Sequence, residues 1–275
     1  MIDVIMVRLP EIVLIIYAFS TLLYFFDFIE HNQKANKIAF WLLSIVWILQ
    51  TIFLFLYMYK TGRFPVLTLF EGLYFYSWVL ITLSLAIHRI VQMEFTLFFT
   101  NLLGFTIMAI HAFVPSQVPA MAEQLISELL FIHVTMAIVS YGAFSLSFVF
   151  SILYLLQYKL LKEKKWKQRI WRLGDLTKLE NISYLFNAIG VPILLLSLIL
   201  GLIWAFIKLP IVPWYDLKII GSFILLIIYG IVLYLRIKKS LYGRNLATWN
   251  IAAFLIVLVN FFLVSRLSTF HIWYQ

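Results

Sequence analysis

The sequence predicts an all-α fold: a polytopic membrane helix bundle of about eight transmembrane helices, with both termini extracytoplasmic. Three observations carry this. Of 275 residues, 64% are apolar or aromatic and only 12% are charged, against roughly 45–50% and about 25% in soluble domains. The mean hydropathy is +1.01. The apolar residues also gather into stretches long enough to cross ~30 Å of hydrocarbon, which takes about 20 residues of helix.

In chain order these spans lie near 11–29, 38–59, 69–88, 95–114, 129–156, 183–207, 217–237 and 246–266. Each is expected to be helical, because a backbone facing lipid must satisfy its own hydrogen bonds. The fifth is long enough to tilt or to project beyond the bilayer. The first apolar run is too long for a signal-peptide core, and only Arg8 and Asp3 precede it, so no cleavable signal is expected. Without a Gly/Ser linker, a low-complexity tract or a convincing internal repeat, the chain reads as a single integral membrane domain over 1–275.

Lysine and arginine placement sets the expected orientation. The first, third, fifth and seventh loops hold 15 of the 21 basic residues, including eight between Lys159 and Lys178. The opposite side holds six: Arg8, Lys60, Arg63, Lys208, Lys218 and Arg266. The odd-numbered loops are therefore expected in the cytoplasm of a bacterial cell, and the net charge of +9 reads as topology, with no nucleic-acid partner implied. The basic loop 158–180 places Leu160, Trp166, Ile170, Trp171 and Leu173 so as to suit one side of a short interfacial helix drawn to anionic lipid.

With no cysteine in the chain, disulfide, iron–sulfur and thiol-relay chemistry is excluded, as is covalent attachment of haem. Five histidines remain. His31 and His88 fall toward the cytoplasm, whereas His111, His133 and His271 fall toward the outside. The same outer side carries Arg63, Glu71 and Glu128, together with Trp214, Tyr215 and Asp216 in the connection LPIVPWYDLK. Carboxylates near hydrocarbon are functional candidates by default. Neutral imidazoles suit the axial positions of haem iron, aromatic faces suit the porphyrin, and Arg63 or Lys218 suits its propionates. The bland readings are that His31, His88 and His111 are hydrogen-bonded packing residues, that Trp214 belongs to an interfacial belt, and that Glu71 and Glu128 cap helix starts.

Three segments add a family resemblance. GRFPVLTLFEGLYFYSW (62–78), HVTMAIVSYGAFSLSFVFSILYLLQYKLL (133–161) and LSTFHIW (267–273) resemble the cytochrome c assembly family of haem-handling membrane proteins, in the branch associated with haem biosynthesis in Gram-positive bacteria. The resemblance implies non-covalent haem held at the outer face. It implies His133 and His271 as axial ligands, Trp214 and Tyr215 supporting the macrocycle, and Asp216 orienting a ligand or the loop. Arg63 would meet a propionate, and Glu71 would make a structural hydrogen bond. The implied role is control of haem biosynthesis or cytochrome c maturation, with glutamyl-tRNA reductase or maturation proteins as partners beside haem and the lipid bilayer.

The chain departs from the family pattern in two places. The tryptophan-rich W-G-x-x-W-x-W-D-P-K-E survives only as WYDLK, and Leu233-Tyr234-Leu235-Arg236 stands where full haem exporters carry a membrane histidine. The second, which removes an inner ligand, favours binding at one face over complete transfer across the bilayer. No hydrolytic or nucleotide-binding motif is present, so no catalytic residue is expected. Two other readings are a secondary transporter of a small solute and a scaffold controlling a cytoplasmic enzyme of haem synthesis.

Overall fold

A computed structural model describes residues 2–91, 94–115, 127–163, 175–209, 212 and 214–264. Among these, eight long helices follow one another: α1 (Ile2–Glu30), α2 (Gln33–Thr61), α3 (Leu69–Val91), α4 (Glu94–His111), α5 (Glu128–Lys162), α6 (Leu176–Lys208), α7 (Leu217–Ile237) and α8 (Gly243–Val259). Helix α8 runs into a π-helical turn, Asn260–Val264. Seven of the helices are long and apolar enough to cross a membrane, and α4 contributes a shorter apolar helix. The protein is a multi-pass membrane protein.

Helices occupy the expected spans, running past them at α1, α2, α3, α5 and α6, whereas α4 stops at His111 and α8 gives way to the π turn at Asn260. Helix α1 starts near the N-terminus, although Pro10 lies within it. At 35 and 33 residues, α5 and α6 extend about 50 Å at 1.5 Å per residue, well beyond the hydrocarbon. The basic loop expected over 158–180 is therefore helical at both described ends, because Lys159 and Lys162 close α5 and Lys178 lies in the first turn of α6. Trp166, Ile170, Trp171 and Leu173 lie outside the described residues.

Local chemistry sets the helix starts and stops. The Asn32 side chain accepts from the Lys34 and Ala35 amides to open α2, and Gly62 (φ 66°) closes it with its N–H on the Met58 carbonyl. That left-handed conformation suits glycine. Thr68 and Glu71 form a capping box for α3: the Glu71 amide donates to Thr68 Oγ1, while Glu71 Oε2 accepts from the Thr68 amide. Ser127 caps α5 and Asp216 caps α7.

The helices gather into two compact units, 1–117 and 118–275. In the first, α1 packs on α2 and α4, and α3 on α4. Phe28 nests against Phe95 and Phe98, with ring centroids 5.0 and 5.4 Å apart, and Tyr17 meets Phe105 edge-on at 5.8 Å. These pairs fix α1 and α4 as antiparallel neighbours.

In the second unit α5 packs along α6 and against α8. Residues 140–147 of α5 are buried all round, so this stretch is a central rod rather than a lipid-facing one. Phe144 stacks on Tyr229 at 3.8 Å. A Cβ on Gly190 would lie 2.6 Å from the Phe144 ring, so α6 approaches α5 closely only because that position is glycine. A polar seam joins three helices: Ser183 Oγ bonds Ser147 and Ser151 at 3.0 Å each, and Asn250 donates to Ser183 at 2.7 Å and accepts from Asn187 at 2.8 Å. Such hydrogen bonds and small residues hold helices together where lipid removes the hydrophobic drive.

Candidate functional site

In the second unit, the start of α5, the later turns of α6, the start of α7 and the π turn after α8 contribute to one constellation. Its centre is His133. The Nδ1 atom lies 2.6 Å from the Ser197 carbonyl and 3.1 Å from Ser197 Oγ, and Ser197 Oγ in turn donates to the His133 carbonyl at 2.8 Å. A carbonyl only accepts, so Nδ1 carries the proton and Nε2 presents its lone pair. No described residue hydrogen-bonds Nε2. A Cβ on Gly201 would lie 2.6 Å from His133 Cε1 and 2.7 Å from Nδ1, so the ring lies where only a glycine admits it. Ser197 and Gly201, one turn apart on α6, form the seat of this imidazole.

Beside it, Asp216 is buried and its Oδ1 accepts from the Lys218 amide at 2.8 Å, opening α7. Lys218 is also buried, although the sequence offers it as a surface partner for an anion. Its Nζ donates to the Asn260 carbonyl at 2.9 Å and stands 5.8 Å from the Phe261 ring centroid. The π turn takes the backbone out of regular α register here, and Asn260 Nδ2 reaches Tyr141 Oη at 3.2 Å. The Lys218 charge is also close enough to act on the His133 imidazole.

Trp214 and Tyr215 precede this cap. Trp214 is 53% exposed, edge-on to Phe206 at 5.7 Å, and Tyr215 is 80% exposed. Both rings keep a face open, as a macrocycle shelf and an interfacial belt equally require. His271, the second ligand expected from the sequence, lies outside the described residues.

Arg63 and Glu71 belong to the first unit, where they grip one another. Arg63 Nη1 and Nη2 donate to the two Glu71 oxygens at 2.8 and 2.7 Å, Tyr57 Oη donates to Oε1 at 2.5 Å, and the Leu67 amide donates to Oε2 at 2.7 Å. Burial works against the Arg63 charge, but the hydrogen bond and charge of Glu71 more than offset it and raise the guanidinium pKa. This fork-to-fork pair staples the loop between α2 and α3. Glu71 thus makes the structural hydrogen bonds expected of it, and two arms of the Arg63 fork are already engaged.

His111, read from the sequence as a packing residue, is buried with Nδ1 2.9 Å from the Phe70 carbonyl and its ring 4.0 Å from that of Phe70. Its Nε2 has no hydrogen-bond partner among the described residues. Sequence reasoning missed Ser197, Gly201 and Tyr57. The small-residue pair at i, i+4 on α6 is the signal that points to a close helix approach, whereas nothing in the sequence pairs it with His133.

Comparison with known proteins agrees with this architecture. Residues 66–271 match the family model described as cytochrome C assembly protein. The chain is 55% identical to Protein HemX of Bacillus subtilis (strain 168) over 100% of both chains, and 44% identical to Protein HemX of Brevibacillus brevis over 96% of this chain and 97% of that one. It is 27% identical to the cytochrome c biogenesis protein CcsA of Chlamydomonas reinhardtii over 82% of this chain and 65% of the relative. A match over most of its length, with full-length relatives at this identity, means that the chain belongs to the cytochrome c assembly family.

Proposed function

We propose that this protein binds haem non-covalently at the end of the second unit where His133 sits, as a binding or sensing protein rather than an enzyme. His133 and His271 would hold its iron, and Trp214 and Tyr215 would support the macrocycle. The observation that carries the proposal is the state of His133. Its Nδ1–H is committed to the Ser197 carbonyl, Nε2 keeps its lone pair, and Gly201 leaves room for the ring. Ligating histidines characteristically hold a backbone carbonyl with the other nitrogen in this way, which fixes tautomer and orientation. Bound there, haem supplies an iron centre whose ligation responds to haem supply or oxidation state.

Asp216 fixes the turn that presents Trp214 and Tyr215, through its cap on α7. Arg63 we assign to holding its own loop through Glu71 rather than to a propionate. The basic loops lie in the cytoplasm of a bacterial cell and both termini lie outside, so the haem face is the outer one. The physiological role we assign is control of haem biosynthesis or cytochrome c maturation, the second being in line with the name of the CcsA relatives. Glutamyl-tRNA reductase or a maturation protein is then the partner reached from the cytoplasmic loops.

Purification in detergent from haem-replete cells tests the binding. A Soret band is expected, lost or shifted in the His133→Ala, His271→Ala double variant. No band, or a band unchanged in that variant, refutes the proposal.

A further inference from the structure

The first unit contains an unusual set of buried polar atoms. Tyr24 Oη, Gln50 Oε1, Tyr74 Oη, Thr96 Oγ1, Thr100 Oγ1 and His111 Nε2 are all buried and have no hydrogen-bond partner among the described residues. Each such atom is costly if left dry, and six together would weigh heavily against folding. Buried polar atoms of this kind are ordinarily met by internal water with two to four partners.

These atoms are strung along the height of the unit. At one end Asp27, buried, accepts from Asn36 at 2.8 Å, and Tyr24 lies within electrostatic reach of it. Two turns along α1, Tyr17 Oη donates to Asn101 at 3.4 Å, and Asn101 donates to Ser84 at 3.2 Å. Tyr17 Oη occupies the space a Cβ of Gly104 would need. The Gly104 carbonyl accepts from Ser77, and Ser77 accepts from Gln50 at 3.2 Å. Beyond Gln50 come Tyr74, edge-on to His111 at 5.1 Å, and then the Tyr57–Glu71–Arg63 cluster.

At 1.5 Å per residue, ten residues of α1 from Asp27 to Tyr17 and ten of α4 from Asn101 to His111 each rise about 15 Å. Together they match the ~30 Å hydrocarbon thickness. Among the described residues, no buried lysine or arginine stands along the string between Asp27 and His111; Arg63 lies beyond it, paired with Glu71.

We propose that the α1–α4 unit holds a file of internal waters and conducts protons along it between Asp27 and His111. A proton taken up at one end displaces another at the far end. Only O–H and N–H bonds form and break, and no electron moves. Water and hydroxyl groups both accept and donate, and His111 Nε2 accepts while its Nδ1–H stays on Phe70. Chains of carboxylates, histidines and hydroxyls across a membrane are the usual substance of proton relays. This function is independent of haem.

The full-length protein, reconstituted into phosphatidylethanolamine–phosphatidylglycerol vesicles containing pyranine, tests it under a valinomycin-driven potassium potential. Vesicles with the wild-type chain are expected to change internal pH faster than protein-free vesicles. Gln50→Leu, which removes the mid-file amide, should return the rate to the protein-free value. Tyr74→Phe deletes one hydroxyl and keeps the ring, so it should slow the flux even where Gln50→Leu fails to fold. Asn187→Leu, in the other unit, should leave the rate unchanged. Wild-type vesicles no faster than protein-free ones would overturn the proposal, as would Gln50→Leu or Tyr74→Phe at the full wild-type rate.

Discussion

Gly201→Ala is the most direct probe of the His133 seat. The new Cβ would stand 2.6, 2.7 and 3.1 Å from His133 Cε1, Nδ1 and Nε2, and the obstructing atoms belong to a rigid ring, not the end of a flexible chain. Two responses are open. The ring can swing off Ser197, giving up the 2.6 Å hydrogen bond and leaving the carbonyl unmet at about 1–3 kcal/mol. Alternatively α6 can back away from α5, an overpacking response that costs about 1–3 kcal/mol. Alanine returns up to about 1 kcal/mol through helix propensity, so net destabilisation should be about 1–2 kcal/mol. Either response moves Nε2 from its present position. Thermal melting in detergent should show the stability loss, and the Soret band of haem-loaded protein should report altered ligation. Gly230→Ala is the control, because nothing lies within 4 Å of its Cβ position; it should leave the Soret band unchanged and the melting point equal or slightly higher. A Gly201→Ala protein with the wild-type spectrum and melting point would refute the reasoning.

Two further outcomes follow from the same contacts. Glu71→Ala should destabilise by about 2–3 kcal/mol, somewhat less than for a fully buried pair, because it strands the partly buried Arg63 charge and also frees Tyr57 and the Leu67 amide. Arg63→Ala leaves the carboxylate with Tyr57 and two amides and should cost less; chemical denaturation in detergent giving the reverse order would contradict the assignment of Glu71 as the hub. Asn250→Leu removes bonds to Ser183, Ser151 and Asn187, each worth about 0.6–1.7 kcal/mol between membrane helices. It should lower stability by roughly 2–4 kcal/mol, and an unchanged melting point would mean the seam carries no weight.

The fold was legible because one physical constraint dominates it: lipid forces the backbone into helices, and a span must have a minimum length. Eight apolar stretches therefore yield helices in the expected order. Their ends were less legible, because α5 and α6 continue past the apolar stretch into Lys162 and back to Leu176. Hydropathy marks where a helix leaves lipid, whereas helical propensity and capping mark where it stops. The division near residue 117 leaves no composition signal, because both units are built from the same apolar alphabet.

At the site, legibility divides by sequence distance. The capping partners Thr68–Glu71 and Asp216–Lys218 are three and two residues apart, and the short loop keeps Arg63 within eight residues of Glu71, so local chemistry exposes them. His133 depends on Ser197, 64 residues away, and Lys218 on Asn260, 42 residues away; only the packing of α5 on α6 and of α7 beside the π turn creates those pairs. The same packing explains why two units of similar composition differ in chemistry. Around His133 the polar groups close on one another, Ser197 on the histidine and Lys218 on a backbone carbonyl, which makes a stiff seat suited to holding an imidazole at a fixed angle. In α1–α4 hydroxyls, an amide oxygen and an imidazole nitrogen remain open, which makes a lining suited to water. Saturated polar contacts suit a fixed ligand and unsaturated ones suit solvent, and it is on this physical ground that a haem face is proposed for one unit and a proton path for the other.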